Sequence, residues 1–379
     1  MPWKECTILE ARLRFVVLAR SGAANMTALC QQFGISRKTG YKWLKRYEQS
    51  GTFTALGDQP RTPHHSPQRT DHAQEQRVVE LRRDLGWGPR KLQMRLAREG
   101  IHLSQATLSR IIKRNGLLKD EGSHRPATQR FERKQPNELW QMDFKGPIRL
   151  LEEGKRCHPL AILDDHSRYL VGLFALPSTR LEPVRRVLRY TFQQYGLPKQ
   201  ILTDRGAPFW STTNALGLTQ LSVDIMNQGV RMAHGAVRHP QTQGKVERLH
   251  RTLQEAMNHH GTPRTLGDCR AFFDVFRERY NQERPHEALG MGVPAERYVP
   301  SQRAYLPDPP PWPYPPTMSV AQLNPQGCLD YQGQRLFVCE ALAKQWVGTL
   351  AFEARLIVQF RDMLIREIAL DTRRGIAFA

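Results

Sequence analysis

The chain has 379 residues, with 56 Lys and Arg against 36 Asp and Glu, a formal net charge of +20. Its 40% hydrophobic and 24% charged content is that of folded domains and excludes wholesale disorder; at this length two to four domains are expected. No uninterrupted apolar run is long enough to span a bilayer, which excludes a transmembrane helix, and the six scattered cysteines lack a CxxC pair, which points to a reducing, cytoplasmic compartment and away from a cysteine-held zinc.

The opening MPWKECTILEARLRF lacks the apolar segment of a secretion signal, so secretion is not expected. Residues 1–135 carry 26 Lys and Arg against 12 Asp and Glu, an asymmetry that points to a polyanion, nucleic acid first. Within residues 1–48, Ile8, Leu9, Leu13, Val16 and Val17 form an apolar stripe. Thr27 then precedes ALCQQF, Gly34 breaks the pattern, and Ser36 caps RKTGYKWLKRY. Helix, glycine turn, helix is the layout in which a second helix enters the major groove. On that helix Arg37, Lys38, Lys42, Lys45 and Arg46 are candidate DNA contacts; a bundle with a solvated basic face is the plainer alternative. Residues 49–70, with three glycines or prolines per dozen positions and few apolar side chains, read as a linker.

Residues 71–117 repeat the pattern. One helix covers Gln74–Leu85, a second opens at Pro89, and a third runs from the Ser104 cap to Arg114, with Arg90, Lys91, Arg110, Lys113 and Arg114 as candidate contacts. Two such units in tandem suit a long double-stranded site. Residues 118–136 are polar and basic, a second linker. From residue 137 to 299 the pattern turns to strands, in ELWQMDFKG, RCHPLAILDD and RYLVGLFALP, then to a helix over Leu181–Tyr195, a strand QILTD, another near Val230–His234 and a helix from about Thr242 to Asn258. This order describes a mixed sheet with helices on its faces. Eight prolines in residues 300–316 mark a linker, and the five short β runs in residues 317–379 predict a small β-barrel or sandwich.

Three acids stand out. Asp143 lies inside the apolar strand run WQMDF, Asp204 ends QILTD, and Glu247 opens the helix QGKVERLHRTL. A carboxylate in an apolar strand is costly unless paired or metal-bound. Paired divalent cations acting on a phosphodiester need such oxygens converging from separate elements. Taken singly, Asp204 could be a turn residue and Glu247 could pair with Arg251 one turn on. Asp224 is a weaker alternative to Glu247, Asp164 and Asp165 read as turn-formers, and His239 and His250 as phosphate or structural contacts. Lys245, Arg248 and Arg251 share the Glu247 helix and are candidate DNA contacts.

LWQMDF around Asp143, AILDDHSRYLVG, ILTDRGAPF around Asp204, HPQTQGKVERLHRTL around Glu247 and YNQERPHEALG occur in this order over about residues 133–300. In this the chain resembles the superfamily of Asp-Asp-Glu transposases and retroviral integrases, and in its tandem helix-turn-helix units the bacterial insertion-sequence transposases. The 42 residues between Asp204 and Glu247 exceed the usual spacing there. The resemblance implies a multidomain α and α/β protein whose mixed sheet is an RNase-H-like core. It implies Asp143, Asp204 and Glu247 as ligands of two Mg²⁺ ions, replaceable by Mn²⁺, and cleavage and joining of transposon ends to target DNA. A homo-oligomer assembled on DNA in a bacterial cytoplasm follows. A regulator with an inactive core, and a metal-dependent nuclease without strand transfer, are the competing readings.

Overall fold

The helix boundaries of the N-terminal part are written in its caps. In the computed structural model, which describes residues 7–22, 25–59, 69–118, 132–152, 154–214, 216–235, 244–372 and 375–377, Thr7 and Glu10 form a reciprocal capping box that opens α1 (Ile8–Arg20). Asn25 caps α2 (Met26–Gln32) and Ser36 caps α3 (Arg37–Ser50). Gly34, at φ +64°, makes the turn between them in the left-handed region, where a side chain would be strained. Phe15, Val16, Leu29, Cys30 and Trp43 close a small core around these helices. Leu56 joins that core from a short 3₁₀ turn over Phe53–Leu56. The stretch read as a linker, residues 49–70, therefore begins as packed structure, with Leu56 fully buried in this core. Met1–Thr70 is one compact unit, and Asp71–Ala379 is a second.

The second unit opens with α4 (His72–Leu85), α5 (Pro89–Ala97) and α6 (Gln105–Arg114), capped by Asp71, Gly88 and Ser104. Val78, Leu92, Leu96, Leu108, Ile111 and Ile112 form their core. Arg82 is buried beside it and donates to the carbonyls of Gly86, Trp87 and Leu117, so a charge serves as a structural clamp. Of the basic linker over residues 118–136, residues 119–131 lie outside the described ones. Arg133 already belongs to the core, its N–H donating to Asp165.

The central sheet is mixed, as expected. β1 (Trp140–Phe144), β3 (Arg156–Asp164) and β4 (Leu170–Leu176) are antiparallel neighbours, while β5 (Gln200–Thr203) and β6 (Arg231–His234) continue parallel to β1; β2 (Ile148–Arg149) pairs with the start of β3. Alternation along β3 sends Leu160 and Ile162 to one face and Ala161 and Leu163 to the other. The first face packs against α7 (Leu181–Tyr195) and α8 (Gln220–Asn227) through Val184, Leu188, Leu221 and Ile225. The second packs against α9 (Gly244–His260) and α10 (Leu266–Gln282) through Val246, Leu249, Leu253, Phe273 and Phe276. No helix among the described residues is long and apolar enough to cross a membrane.

The Pro-rich segment over residues 300–316 is not a free spacer. Arg303 donates to the carbonyls of Pro198 (2.6 Å) and Gly229 (2.7 Å) and accepts from Leu197 N–H (2.7 Å), strapping the chain to the core. Proline removes backbone donors but leaves carbonyls and side chains to make such contacts. Beyond it, β7 (Ser319–Gln322), a hairpin of β8 (Cys328–Tyr331) and β9 (Gln334–Phe337), β10 (Trp346–Phe352), β11 (Arg355–Phe360), β12 (Met363–Ala369) and β13 (Gly375–Ala377) follow. They form an open five-stranded antiparallel sheet, ordered β13-β12-β11-β10-β7, and the separate hairpin. Among the described residues the edge strands β7 and β13 do not pair, which corrects the expected barrel. Val347, Val358 and Ile365 of this sheet share one apolar cluster with the core, and Arg361 donates to Asn227 of α8 (3.0 Å). Leu329 and Leu336 of the hairpin, with Leu342, belong to the same apolar cluster as the sheet.

Candidate active site

Asp143 is half-buried because β1 is half-turned to each core. Trp140 and Met142 fill the α7/α8 side, which directs Gln141 and Asp143 toward α9. β1 and β5 run parallel in the register Trp140 to Ile201 and Gln141 to Leu202. Two residues further, past the end of β5, this register sets Asp204 level with Asp143, on chains spaced about 4.8 Å apart. Asp204 is held by a local turn in which Gly206 N–H donates to its Oδ1 at 3.1 Å. Glu247 reaches the same end of the sheet from the first turn of α9, whose Val246, Leu249 and Leu253 are pinned to the sheet.

The electrostatics register this meeting. Burial, then the carboxylates of Asp204 and Glu247, push the Asp143 acid up to about 7. His250, one turn after Glu247, places Nδ1 3.7 Å from Asp143 Oδ2. Burial and then Lys145 push His250 down to about 4, so it faces Asp143 as a neutral imidazole at neutral pH. Its buried Nε2 has no hydrogen-bond partner among the described residues. Among the described residues no three His, Cys, Asp or Glu side chains are drawn together closely enough to grip an ion; Asp204 and Glu247 are each within electrostatic reach of Asp143. His239 lies outside the described residues.

Asp164 and Asp165 have structural duties. Asp164 accepts from Asn137 N–H (2.7 Å) and from the Ser167 N–H and hydroxyl (2.8 and 2.6 Å). Asp165, fully buried, accepts from Gln141 Nε2 (2.9 Å), Arg133 N–H (2.8 Å) and Lys245 Nζ (2.5 Å). Lys245 therefore does not extend toward DNA as expected: it anchors the start of α9 to the β3 turn. Asp224, the alternative third acid, pairs with Arg185 of α7 at 2.6 Å, away from Asp143. Sequence reasoning passed over Arg205, Trp210 and His234, which flank Asp204. Arg205 stacks 4.8 Å from the Trp210 ring, Trp210 meets His234 at 4.8 Å, and His234 Nδ1 lies 3.0 Å from Thr203 Oγ1. The aromatic within DRGAPFW was the available signal.

The basic candidates divide into exposed and committed groups. Arg37, Lys38, Lys42 and Lys45 are exposed on α3, as are Arg110 and Lys113 on α6 and Arg248 and Arg251 on α9. Arg46 instead lies 4.9 Å from the Trp43 ring and donates to Gly57 O and Gln59. Arg114 is bound to Glu75 at 2.6 Å, and Arg90 is 3.8 Å from Glu287. Lys91 is half-buried beside α10.

Three family models match: a helix-turn-helix domain over residues 11–64, a homeodomain-like domain over residues 39–112, and an integrase core domain over residues 228–294. The chain is similar to the insertion element IS407 uncharacterized 31.7 kDa protein of Burkholderia multivorans, 28% identical over 253 residues, covering 61% of this chain and 84% of that protein. It is 30% identical over 122 residues to the Gag-Pol polyprotein of avian reticuloendotheliosis virus, covering 32% of this chain and 10% of the polyprotein. Among solved structures, the HTLV-2 integrase catalytic core domain in complex with magnesium aligns with a TM-score of 0.33 at 16% identity, over 44% of this chain and 99% of that one. Helix-turn-helix domains thus precede an integrase core domain, and an insertion-element relative is matched over most of its length; together these support a place in the transposase and integrase superfamily.

Proposed function

We propose that the chain is a DNA transposase that cuts transposon ends and joins the freed 3′-OH to target DNA. The observation that carries this reading is the approach of Asp143, Asp204 and Glu247 from a central strand, the end of a neighbouring strand and a helix. The donor set fits hard cations: all three groups are carboxylates, and their mutual repulsion at Asp143 is that of a site short of positive charge. Asp143, Asp204 and Glu247 are the residues that would hold two Mg²⁺ ions, with Mn²⁺ as a substitute, and such ions supply Lewis-acid stabilisation of a reacting phosphoryl group. In the reaction, water attacks the phosphodiester at the element's end and breaks its P–O3′ bond, leaving a 3′-OH. That hydroxyl then attacks a target phosphodiester, forming a new P–O3′ bond and releasing the target's own 3′-OH.

The chain's own groups prepare the site. The Lys245–Asp165 tie sets the first turn of α9, and with it Glu247, against the β3 turn. Neutral His250 contacts Asp143 without compensating its charge. Arg37, Lys38, Lys42 and Lys45 of α3, with Arg110 and Lys113 of α6, would hold double-stranded transposon ends. The domain division follows: helix-turn-helix units over residues 1–48 and 71–117, a catalytic core over residues 137–299, and a C-terminal β module over residues 317–379. Paired ends must be cut and joined in concert, so the active form is a homo-oligomer on DNA in the bacterial cytoplasm.

A labelled terminal-repeat duplex with a plasmid target tests this reading. Joined product is expected from the wild type, and Asp143→Asn, Asp204→Asn and Glu247→Gln should each reduce cutting and joining to background while end binding persists. Nicked product alone would favour a nuclease. A shifted band alone would favour a regulator. Substantial Mg²⁺-dependent cutting by any variant removes that residue from the site.

A further inference from the structure

A cleft of about 890 Å³ opens between the α4–α5 turn and the outer sides of α9 and α10. Lys91 of α5, Arg251 of α9 and Arg284, just past α10, line it together. Arg284 lies 5.6 Å from the Tyr280 ring, donates Nη2 to Thr252 Oγ1 at 3.3 Å, and keeps Nε buried with no acceptor among the described residues. Among the described residues no carboxylate comes within ion-pair distance of Lys91, Arg251 or Arg284. Two other cations of the cleft are matched, Arg279 to Asp84 at 3.2 Å and Arg90 to Glu287 at 3.8 Å, and Glu255 also lines the wall.

The unmatched charges crowd one another. Burial, then Arg284, with Arg248 also contributing, hold the Lys91 amine down to about 8 against the opposing pull of Glu287 and Glu255. Burial, then Arg284 and Lys91, push neighbouring His286 down to about 2. The cap of α5 adds to the field, since Gly88 offers no side-chain cap and Pro89 occupies the first turn, leaving the positive helix end facing the cleft. Like charges held together without an ion-pair partner destabilise a fold, so an anion is the component that completes this arrangement. Thr252 and Arg251 follow Glu247 by about 6–8 Å along α9, at 1.5 Å per residue.

We propose that this cleft binds the DNA backbone next to the reactive phosphodiester, with Lys91 and Arg284 as phosphate contacts, so that α5 and the core of one chain grip the same strand. The identity of the anion as DNA rests on the transposase reading. The test is equilibrium binding of the full chain to a random-sequence duplex over a range of salt concentrations, comparing wild type, Lys91→Gln and Lys91→Arg. Lys91→Gln should bind more weakly and lower the slope of log K against log salt by about 0.9, the value of one lost phosphate contact. It should melt no lower than the wild type, because it removes a crowded charge, and Lys91→Arg should keep the slope. An unchanged slope in Lys91→Gln, or the same drop in Lys91→Arg, overturns the proposal. Binding needs no catalysis, so triad variants that still cut would sink the transposase reading alone, while the salt slope decides the cleft.

Discussion

Asp165→Ala offers a sharp test of how the site is held. The fully buried Asp165 carboxylate accepts three hydrogen bonds from three elements: Gln141 on β1, Arg133 ahead of it, and Lys245 at the start of α9. Removing one member of a buried ion pair costs about 3–5 kcal/mol. Abandoning the two neutral donors adds about 1–3 kcal/mol, less whatever an entering water recovers. We therefore expect a loss of about 4–6 kcal/mol, a large part of the roughly 5–15 kcal/mol that holds a domain folded. The ammonium is itself an expensive tenant: burial, then Arg168, hold Lys245 down to about 8 despite Asp165. Asp165→Ala combined with Lys245→Met should consequently recover about 1–3 kcal/mol of the loss, a coupling of the size expected for contacting residues. Urea denaturation, followed by hydrogen exchange at the amides of β3 and α9, measures both variants. A single-variant loss under about 1 kcal/mol, or a double variant no more stable than the single, would refute the tie as the anchor of α9.

Two further perturbations separate local roles. A Cβ at Gly206 would lie 2.8 Å from Asp204 Oδ2, so Gly206→Ala should displace that carboxylate and lower cutting by tenfold or more, about 1.4 kcal/mol of transition-state stabilisation; because a side-chain end can move, urea midpoints should barely change, and full activity would show that Asp204 tolerates the shift. Trp43 is buried in the first unit with the Arg12 guanidinium 3.9 Å from its ring, so Trp43→Ala should cost that unit about 3–5 kcal/mol. Circular dichroism of residues 1–70 alone would report it, and an unchanged melting curve would contradict the packing.

Most of the helical and strand pattern was legible in the sequence because caps and alternation act over a few residues. Ser36 and Ser104 open helices by accepting from N–H groups three positions ahead, whereas the helix that Thr265 opens was not read from the sequence. Asp143 drew notice for a similarly local reason, as an acid inside an apolar strand. The fates of the basic residues were less legible. Arg46, Arg114 and Lys245 look like any other cation on a basic helix, and each is committed to a partner that the chain brings from elsewhere: Gly57 and Gln59, Glu75, and Asp165.

The sequence by itself determined the order of elements as far as α9, the three acids as a set, and the resemblance that five ordered motifs carry. Only the tertiary structure decided which charges are available and which surfaces are covered. The Pro-rich segment reads as a spacer by composition, yet Arg303 straps it to Pro198 and Gly229. The C-terminal β runs read as a barrel or sandwich, yet among the described residues they form an open five-stranded sheet and a separate hairpin whose Leu329 and Leu336 share the sheet's apolar cluster. Lys91 and Arg284, nearly two hundred positions apart, form one unmatched cationic wall only after α5 is set beside α10. The physical reason is range. A cap or a strand alternation is satisfied by neighbours in the chain, whereas an ion pair, a buried face or a cleft depends on distant partners, and folding alone brings those together.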